Sequence, residues 1–371
     1  MKNFKTLLFT LCIIIFTNNL VMCENISEKI KNLEQQLPQV KVSENILYVR
    51  PDLQIFLPNG ALDLKFKESY KRTLLSFAAK YDFLDNFMGF DLDTGYDLTA
   101  ILYGINLYDK VDFSEFFSKQ ETVHRVQNIC PYINFPLNKF SNLKFSLGFE
   151  RNLTTAVDTL VKLDQGSNVL GQVNFINNTI SKTNDIPKGH EISFQIRKSF
   201  KDIGSDYDYA NTELKLTQFF IPFSNQNIEY KLQIGYPLYA NKKPLSETYF
   251  LGGHELLRGY DFKEFSVDSF LYNQLSYNIP IAKTSQIKFL NISFSILTWK
   301  VFLELAKIGD KDIFTENNNF KYCFGSGIYY SFVILKILPL TINLTLSQAL
   351  ETRPTKFYFT ISTTYYTWKN E

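Results

Sequence analysis

The chain has 371 residues, and its 39 lysines and arginines nearly balance 37 aspartates and glutamates, for a formal net charge of +2. This balance argues against nucleic acid as a partner, because no strong basic field would hold a polyanion. Aromatic residues make up 16% of the chain, whereas Gly and Pro are sparse. That composition is typical of an ordered protein rich in β-strands, and not of a disordered or collagen-like chain.

Residues 1–23 are predicted to be a secretory signal peptide. Two lysines precede the apolar run Leu7–Phe16, LLFTLCIIIF, which is too short to cross a bilayer as a helix. The sequence LVMC that ends at Cys23 matches a lipoprotein box only in part, because Met22 is not small. We therefore prefer an ordinary signal peptide to lipidation at Cys23.

Residues 24–85 are predicted to be a short N-terminal leader or early strands. Glu24–Gln36 has three aliphatic residues at helical spacing among many charges, which indicates a short amphipathic helix or an exposed leader. From about Ile46 onward the apolar period changes to two. The segment has room for at most one rudimentary periplasmic module.

From residue 86 to residue 371, apolar and polar residues alternate as they do in β-strands. In KFSLGFE, Phe145, Leu147 and Phe149 share one side of the strand, and polar or small residues share the other. The same period recurs in ISFQIRKSF, YKLQIGYPL and KFYFTISTTYY, and polar or turn-forming stretches separate these runs. At roughly 18 residues per strand and connection, the segment would hold about 16 strands.

Two architectures share this alternation. A soluble sandwich or barrel turns its apolar face inward, whereas a transmembrane barrel turns it outward to lipid. Charges inside the runs, Phe and Tyr near strand ends and the export signal favour the membrane. We predict an all-β protein, a transmembrane antiparallel β-barrel with an even number of strands, and keep a soluble two-sheet protein as the alternative.

The segment Tyr249–Phe265, YFLGGHELLRGYDFKEF, places three of the 16 glycines around a single arginine. It resembles the G-G…(V/L)-R-G-(F/Y) motif of the BamA/TamA-type outer-membrane assembly superfamily, the bacterial surface antigen family. Members of that family also include the organellar Sam and Toc channels and the two-partner secretion transporters. The segments that follow the motif resemble further strands of the family, so the resemblance extends from Tyr249 to the C-terminus.

The resemblance implies a long loop that folds back into the barrel lumen and carries the R-G-Y motif. Arg258 would be its buried anchor on an acidic residue of the inner wall, and a guanidinium suits this role because it pairs with a carboxylate through a fork. Glu304 is the leading partner and Glu255 its competitor; a solvent-exposed hairpin is the alternative for the whole segment. The other motif residues are Gly259 and Tyr260 at the tip, and Gly252 and Gly253 on the approach.

The chain also departs from the family pattern. Ser276 and Asn278 stand where the family commonly has Glu and Arg, and Ala306 replaces a glycine. The C-terminal strand signal is weakened, because its last aromatic lies three residues inside the end of the chain. That signal comprises Phe357, Phe359, Ile361, Tyr365 and Trp368.

No catalytic constellation competes with this interpretation, so we expect no enzyme activity, no cofactor and no metal. The three histidines are scattered, and the lone Cys130 and Cys323 are expected to pack as small apolar residues. The resemblance implies insertion of outer-membrane proteins or polypeptide translocation, and a passive pore or structural barrel is the alternative. Its implied partners are membrane lipids, unfolded outer-membrane proteins or secreted polypeptides, and periplasmic accessory proteins. The implied location is the outer membrane of a bacterium or of an endosymbiont-derived organelle.

Overall fold

The computed structural model describes residues 46–362, apart from short gaps. These are 57–59, 71–72, 83–86, 99–100, 117–119, 157–161, 184–185, 224–225, 283–285, 288–291, 310–312, 314–318, 335–337 and 352. The predicted signal peptide, the leader up to residue 45, and Tyr365 and Trp368 lie outside the described residues. The domain boundaries proposed from the sequence therefore stay predictions.

The described residues form an antiparallel sheet of 18 strands, a separate two-stranded hairpin and two 3-10 helices, Lys201–Ile203 and Leu245–Glu247. This confirms the all-β prediction. The strands are β1 (Ile46–Phe56), β2 (Gly60–Tyr70), β3 (Thr73–Asp82), β4 (Phe87–Leu98), β5 (Ile101–Phe116), β6 (Gln120–Pro136), β7 (Ser141–Ala156), β8 (Lys162–Asn178), β9 (Ser181–Thr183), β10 (Ile186–Ser199), β11 (Asp208–Phe223), β12 (Gln226–Lys242), β13 (Tyr249–Leu251), β14 (Phe265–Val267), β15 (Ser269–Ala282), β16 (Gln286–Ile287), β17 (Ile292–Gly309), β18 (Phe320–Ile334), β19 (Leu338–Ala349) and β20 (Lys356–Ser362).

The long strands pair in chain order, each antiparallel to the next. The short strands interrupt this order only locally, since β9 pairs with β10, β16 pairs with β17, and β13 pairs with β14 outside the large sheet. At the ends of the order, β1 pairs with β20 through Ile55–Ile361 and Phe56–Thr360. Strands β1 to β3 belong to this sheet and occupy part of the stretch that the sequence left as a leader or early strands.

The polarity of the sheet is the reverse of that in a soluble protein. On β7, Phe145, Leu147 and Phe149 are all exposed, and Phe149 is 61% exposed, whereas the adjacent Glu150 is only 3% exposed. Other buried positions carry Asn, Gln, Ser and Thr side chains, and exposed strand positions carry Leu, Ile and Phe. A sheet in water would bury these apolar side chains, so this arrangement favours lipid outside and a polar interior.

The connections at the two ends of the sheet differ in length. Because consecutive long strands run antiparallel, every second connection lies at the same end. One end has the connections 200–207, 243–268 and 310–319, and the other has connections of only two or three residues, such as 224–225 and 335–337. No helix of the described part of the chain is long and apolar enough to cross a membrane.

Candidate functional site

The connection from β12 to β15, residues 243–268 and hereafter the motif loop, carries the RGY motif. It contains the hairpin β13–β14, whose tip is 252–264. Gly252 and Gly253 have φ angles of 112° and 102°, in the left-handed region that favours glycine. A Cβ on Gly252 would lie 2.2 Å from the carbonyl oxygen of Asp261. These glycines therefore allow the tight turn from which the tip extends.

Arg258 lies against the polar face of the sheet and is only 7% exposed. Its Nε is 3.4 Å from Oε1 of Glu304, and its backbone N–H donates to Glu304 Oε2 at 2.8 Å. Its Nη2 donates to Gln274 Oε1 at 3.3 Å, and its guanidinium carbon lies 4.2 Å from the centre of the Phe302 ring. Burial opposes the charge, but the Glu304 carboxylate outweighs this effect and raises the pKa of Arg258. The structure thus brings the motif arginine together with Glu304.

The Glu304 carboxylate, on β17, is 0% exposed and has several donors around it. Oε1 accepts a hydrogen bond from the Tyr272 hydroxyl at 2.8 Å, and Oε2 accepts one from the Cys323 thiol at 2.8 Å. The Tyr272 hydroxyl also lies 3.0 Å from Gln274 Oε1. A buried carboxylate is costly unless it is paired and hydrogen-bonded, and these donors satisfy that requirement.

Sequence analysis missed three of these residues. Tyr272 and Gln274 lie two positions apart on β15, so the period-two pattern places both on the same face of the strand. Cys323 was expected only to pack; it is buried and also donates to the carboxylate. The period-two pattern does not specify the register between strands. In the structure, Gln274 lies opposite Glu304, and Glu304 lies opposite Cys323.

Gly259 and Tyr260 complete the contact of the tip with β18, β19 and β20. A Cβ on Gly259 would lie 2.5 Å from the backbone nitrogen of Ala349, so only glycine permits this approach. Tyr260 is fully buried, packs edge-on against Phe265 at 5.0 Å between ring centres, and accepts a hydrogen bond on its carbonyl from the Tyr358 hydroxyl at 3.1 Å.

Glu255 is not brought to Arg258. Its side chain is 79% exposed, and its Oε1 lies 3.6 Å from Nε2 of His254. The His254 ring stacks on Phe262, with 6.4 Å between ring centres. Between the two carboxylates that the sequence offered, the geometry therefore selects Glu304.

The three departures from the family pattern all fall on β15 and β17. Ser276 is buried and accepts a hydrogen bond from Gln274, and Asn278 donates to Asn227 on β12. Ala306 is fully buried next to the tip. Ser276 and Asn278 thus take part in hydrogen bonds of the polar face, and Ala306 packs beside the tip.

The C-terminal signal residues that the structure describes lie on β20. Phe357 is exposed on the apolar outer face, Phe359 is partly buried, and Ile361 pairs with both Ile342 and Ile55. Within the described part of the chain, no three His, Cys, Asp or Glu side chains are grouped closely enough to hold a metal ion.

The model of the Omp85 superfamily domain matches residues 133–365, more than half of the chain. The chain belongs to the Omp85 superfamily. The family predicted from the sequence is thereby confirmed, and the Omp85 match begins well before Tyr249. A comparison with curated proteins gives no sequence match.

Solved structures resemble this Omp85 chain in fold. BamA from Haemophilus ducreyi lacking POTRA domains 1–3 has a TM-score of 0.68 at 13% identity, and covers 88% of this chain and 74% of its own. CdiB from Escherichia coli has a TM-score of 0.58 at 9% identity, with 88% and 69% covered. CdiB from Acinetobacter baumannii has 0.55 at 11% identity; the match spans 85% of this chain but only 59% of that one. At these identities the likeness establishes a BamA-like barrel fold and no more.

Proposed function

We propose that this Omp85-superfamily chain is an outer-membrane β-barrel that inserts outer-membrane proteins or moves polypeptides across that membrane. Family membership and the outward apolar face support this proposal. The observation that carries it is the burial of the RGY tip on the polar face through Arg258 and Glu304. That contact is what the family resemblance implies for a loop inside the lumen.

The proposed barrel has sixteen strands and is closed. Sixteen of the described strands have seven or more residues, and the pairing of β1 with β20 would join the first of them to the last. The end with the long connections would face the exterior, because outer-membrane barrels have short periplasmic turns and longer outer loops. The motif loop would then enter the lumen from outside.

The seam between β1 and β20 is the proposed site of action. Within the described residues it has two residue pairs, whereas β19 and β20 share seven. A short ladder opens at lower cost than a long one, and its backbone N–H and C=O groups would then be free to pair with an incoming strand. The polypeptides that would pair with the open seam, hereafter the clients, are unfolded barrel proteins or secreted polypeptides. They would pair there while in contact with membrane lipids.

A passive pore is the second candidate, favoured by one observation. A cavity of about 470 Å³ lies between the motif loop and β11, β12 and β15. Its lining includes Glu213, Lys215 and Lys231, so water and small ions would find polar walls there.

Reconstitution separates the two functions. Purified protein in liposomes should speed the folding of other barrels while it conducts ions poorly, because the motif loop occupies the lumen. In cells, depletion should lower the levels of other outer-membrane proteins. A large steady conductance, together with unchanged folding rates and an unchanged outer-membrane inventory, would establish the pore and refute the assembly function.

A further inference from the structure

The motif loop has a second set of contacts at its root, residues 243–248, on strands that do not hold the tip. Ser246 Oγ donates to Asn152 Oδ1 on β7 at 2.6 Å. The backbone N–H of Leu245 donates to Asp164 Oδ2 on β8 at 3.0 Å. The root is therefore held by side chains of the wall and does not simply follow β12.

A guanidinium between two carboxylates lies at the centre of these contacts. Arg197 Nη1, on β10, is 2.5 Å from Glu247 Oε1 in the root, and Arg197 Nη2 is 3.3 Å from Glu150 Oε2 on β7. Glu247 also accepts a hydrogen bond from Asn211 Nδ2 at 3.2 Å, and Glu150 accepts one from Asn152 Nδ2 at 2.9 Å. Both carboxylates are mostly buried, which strengthens their mutual repulsion. The positive charge of Arg197 between them offsets this repulsion.

The two ends of the motif loop are attached to different parts of the wall. The root contacts β7, β8, β10 and β11, whereas the tip contacts β15, β17, β18, β19 and β20. Strand β12 separates the two groups in the order of the sheet, and the cavity of about 470 Å³ lies beside the loop between them. The loop thus bridges two separate groups of strands and is attached to one of them at each end.

We propose that Arg197 is a positioning residue that holds the root of the motif loop in place through Glu247. Without the guanidinium, Glu150 and Glu247 would face each other with no cation between them, and their repulsion would drive the root away from β7 and β10. The contact of Arg258 with Glu304 would then restrain only the tip of the motif loop. This inference rests on the proposed position of the loop in the lumen, and it is independent of insertase activity.

The geometry sets an order of effects among variants. Arg197→Gln leaves two facing carboxylates and should have the larger effect. Glu247→Gln removes one carboxylate and leaves Arg197 paired with Glu150, so its effect should be smaller. The double variant removes the repulsion as well as the pair, and should therefore return close to the level of Glu247→Gln. If repulsion between the carboxylates displaces the root, adding Glu247→Gln to Arg197→Gln should reduce the effect. If Arg197→Gln only loosened the packing, the second change would not reduce it.

The measurement is ion conductance of the purified full-length protein in planar bilayers. A loop that leaves the lumen opens a path, so Arg197→Gln should raise the fraction of time in conducting states about tenfold or more, as loss of one charge-assisted contact allows. Lys300→Gln is the matched control for the root, because it breaks a buried pair of the wall, with Glu229 at 2.5 Å, that does not include Arg197, Glu150 or Glu247. It should leave the conducting fraction at the wild-type level.

Heat-modifiable migration on gels identifies the folded barrels for this test. If Arg197→Gln does not fold, Glu247→Lys replaces it, because it places a repelling cation beside Arg197 from the loop side. Three results would each overturn the proposal. The first is wild-type conductance in a folded Arg197→Gln or Glu247→Lys protein, and the second is a rise of the conducting fraction in Lys300→Gln equal to that in Arg197→Gln. The third is a double variant, Arg197→Gln with Glu247→Gln, that conducts as much as Arg197→Gln alone. The proposed function is tested separately, by whether the wild-type protein speeds the folding of other barrels in liposomes. That result does not depend on the outcome of the conductance experiment.

Discussion

Replacing Arg258 by alanine removes the guanidinium that lies between Glu304, Gln274 and the Phe302 ring. Glu304 would then be a buried carboxylate without its cation. Removing one partner of a buried pair costs ~3–5 kcal/mol, and the lower end applies here because Tyr272 and Cys323 still donate to the carboxylate. At roughly 2 °C per kcal/mol for a chain of this size, we expect the melting temperature in detergent to fall by about 6 °C.

The informative form of this experiment is a double-mutant cycle of Arg258→Ala and Glu304→Ala, measured by thermal unfolding. The two changes together should cost ~1.5–3 kcal/mol less than the sum of the single losses, since each single change leaves a charge without its partner. Arg258→Lys should restore only part of the stability, because an ammonium cannot reproduce the planar contact with Glu304 and Phe302.

Glu255→Ala is the matched control for the cycle, since Glu255 is an exposed carboxylate of the same loop. It should combine additively with Arg258→Ala. Strict additivity for Glu304, or a coupling to Glu255 of the same size, would refute the assignment of Glu304 as the partner.

Three further outcomes are expected. Gly259→Ala should displace the tip and lower the melting temperature, because its Cβ would lie 2.5 Å from a backbone nitrogen of β19; an unchanged melting temperature would contradict the close approach. The hydrogen bond from Lys321 holds the pKa of the Glu351 carboxyl below its usual range, so this stabilisation is present above about pH 4.5 and is lost as the pH falls through the lowered pKa. The acid-induced fall in melting temperature should therefore be smaller in Glu351→Gln than in the wild type. A disulfide between Ile55→Cys and Ile361→Cys should block client folding in liposomes until it is reduced, and full activity of the oxidised protein would exclude an opening seam.

Much of the architecture follows from patterns that act over a few residues. The alternation in KFSLGFE correctly placed Phe145, Leu147 and Phe149 on one face, and the structure shows that this face is exposed. The motif itself named Arg258, and the acidic position in VFLELAKIGD named Glu304. Both inferences needed only local spacing and a family resemblance.

Contacts that depend on register between distant strands were not predictable in this way. Arg197 and Glu247 are both charged residues in polar surroundings, and nothing in their local sequence indicates that a loop would bring them together. Period-two alternation assigns a side chain to a face, but it does not say which residue of the neighbouring strand lies opposite. The donors around Glu304 were missed for the same reason.

The position of Glu304 makes docking of the tip of the motif loop sensitive to strand register. Because side chains alternate along β17, a slip of one residue would turn Glu304 to the outer face and bring Leu303 or Leu305 inward. Arg258 would then meet an aliphatic side chain and would have no carboxylate to pair with. Docking of the tip also needs β15, β18 and β19 in place, since Gln274, Cys323 and Ser347 all contribute to its seat. The tip can therefore dock only onto a C-terminal half whose strands are already correctly aligned, and in the proposed barrel an error of register would leave the loop undocked.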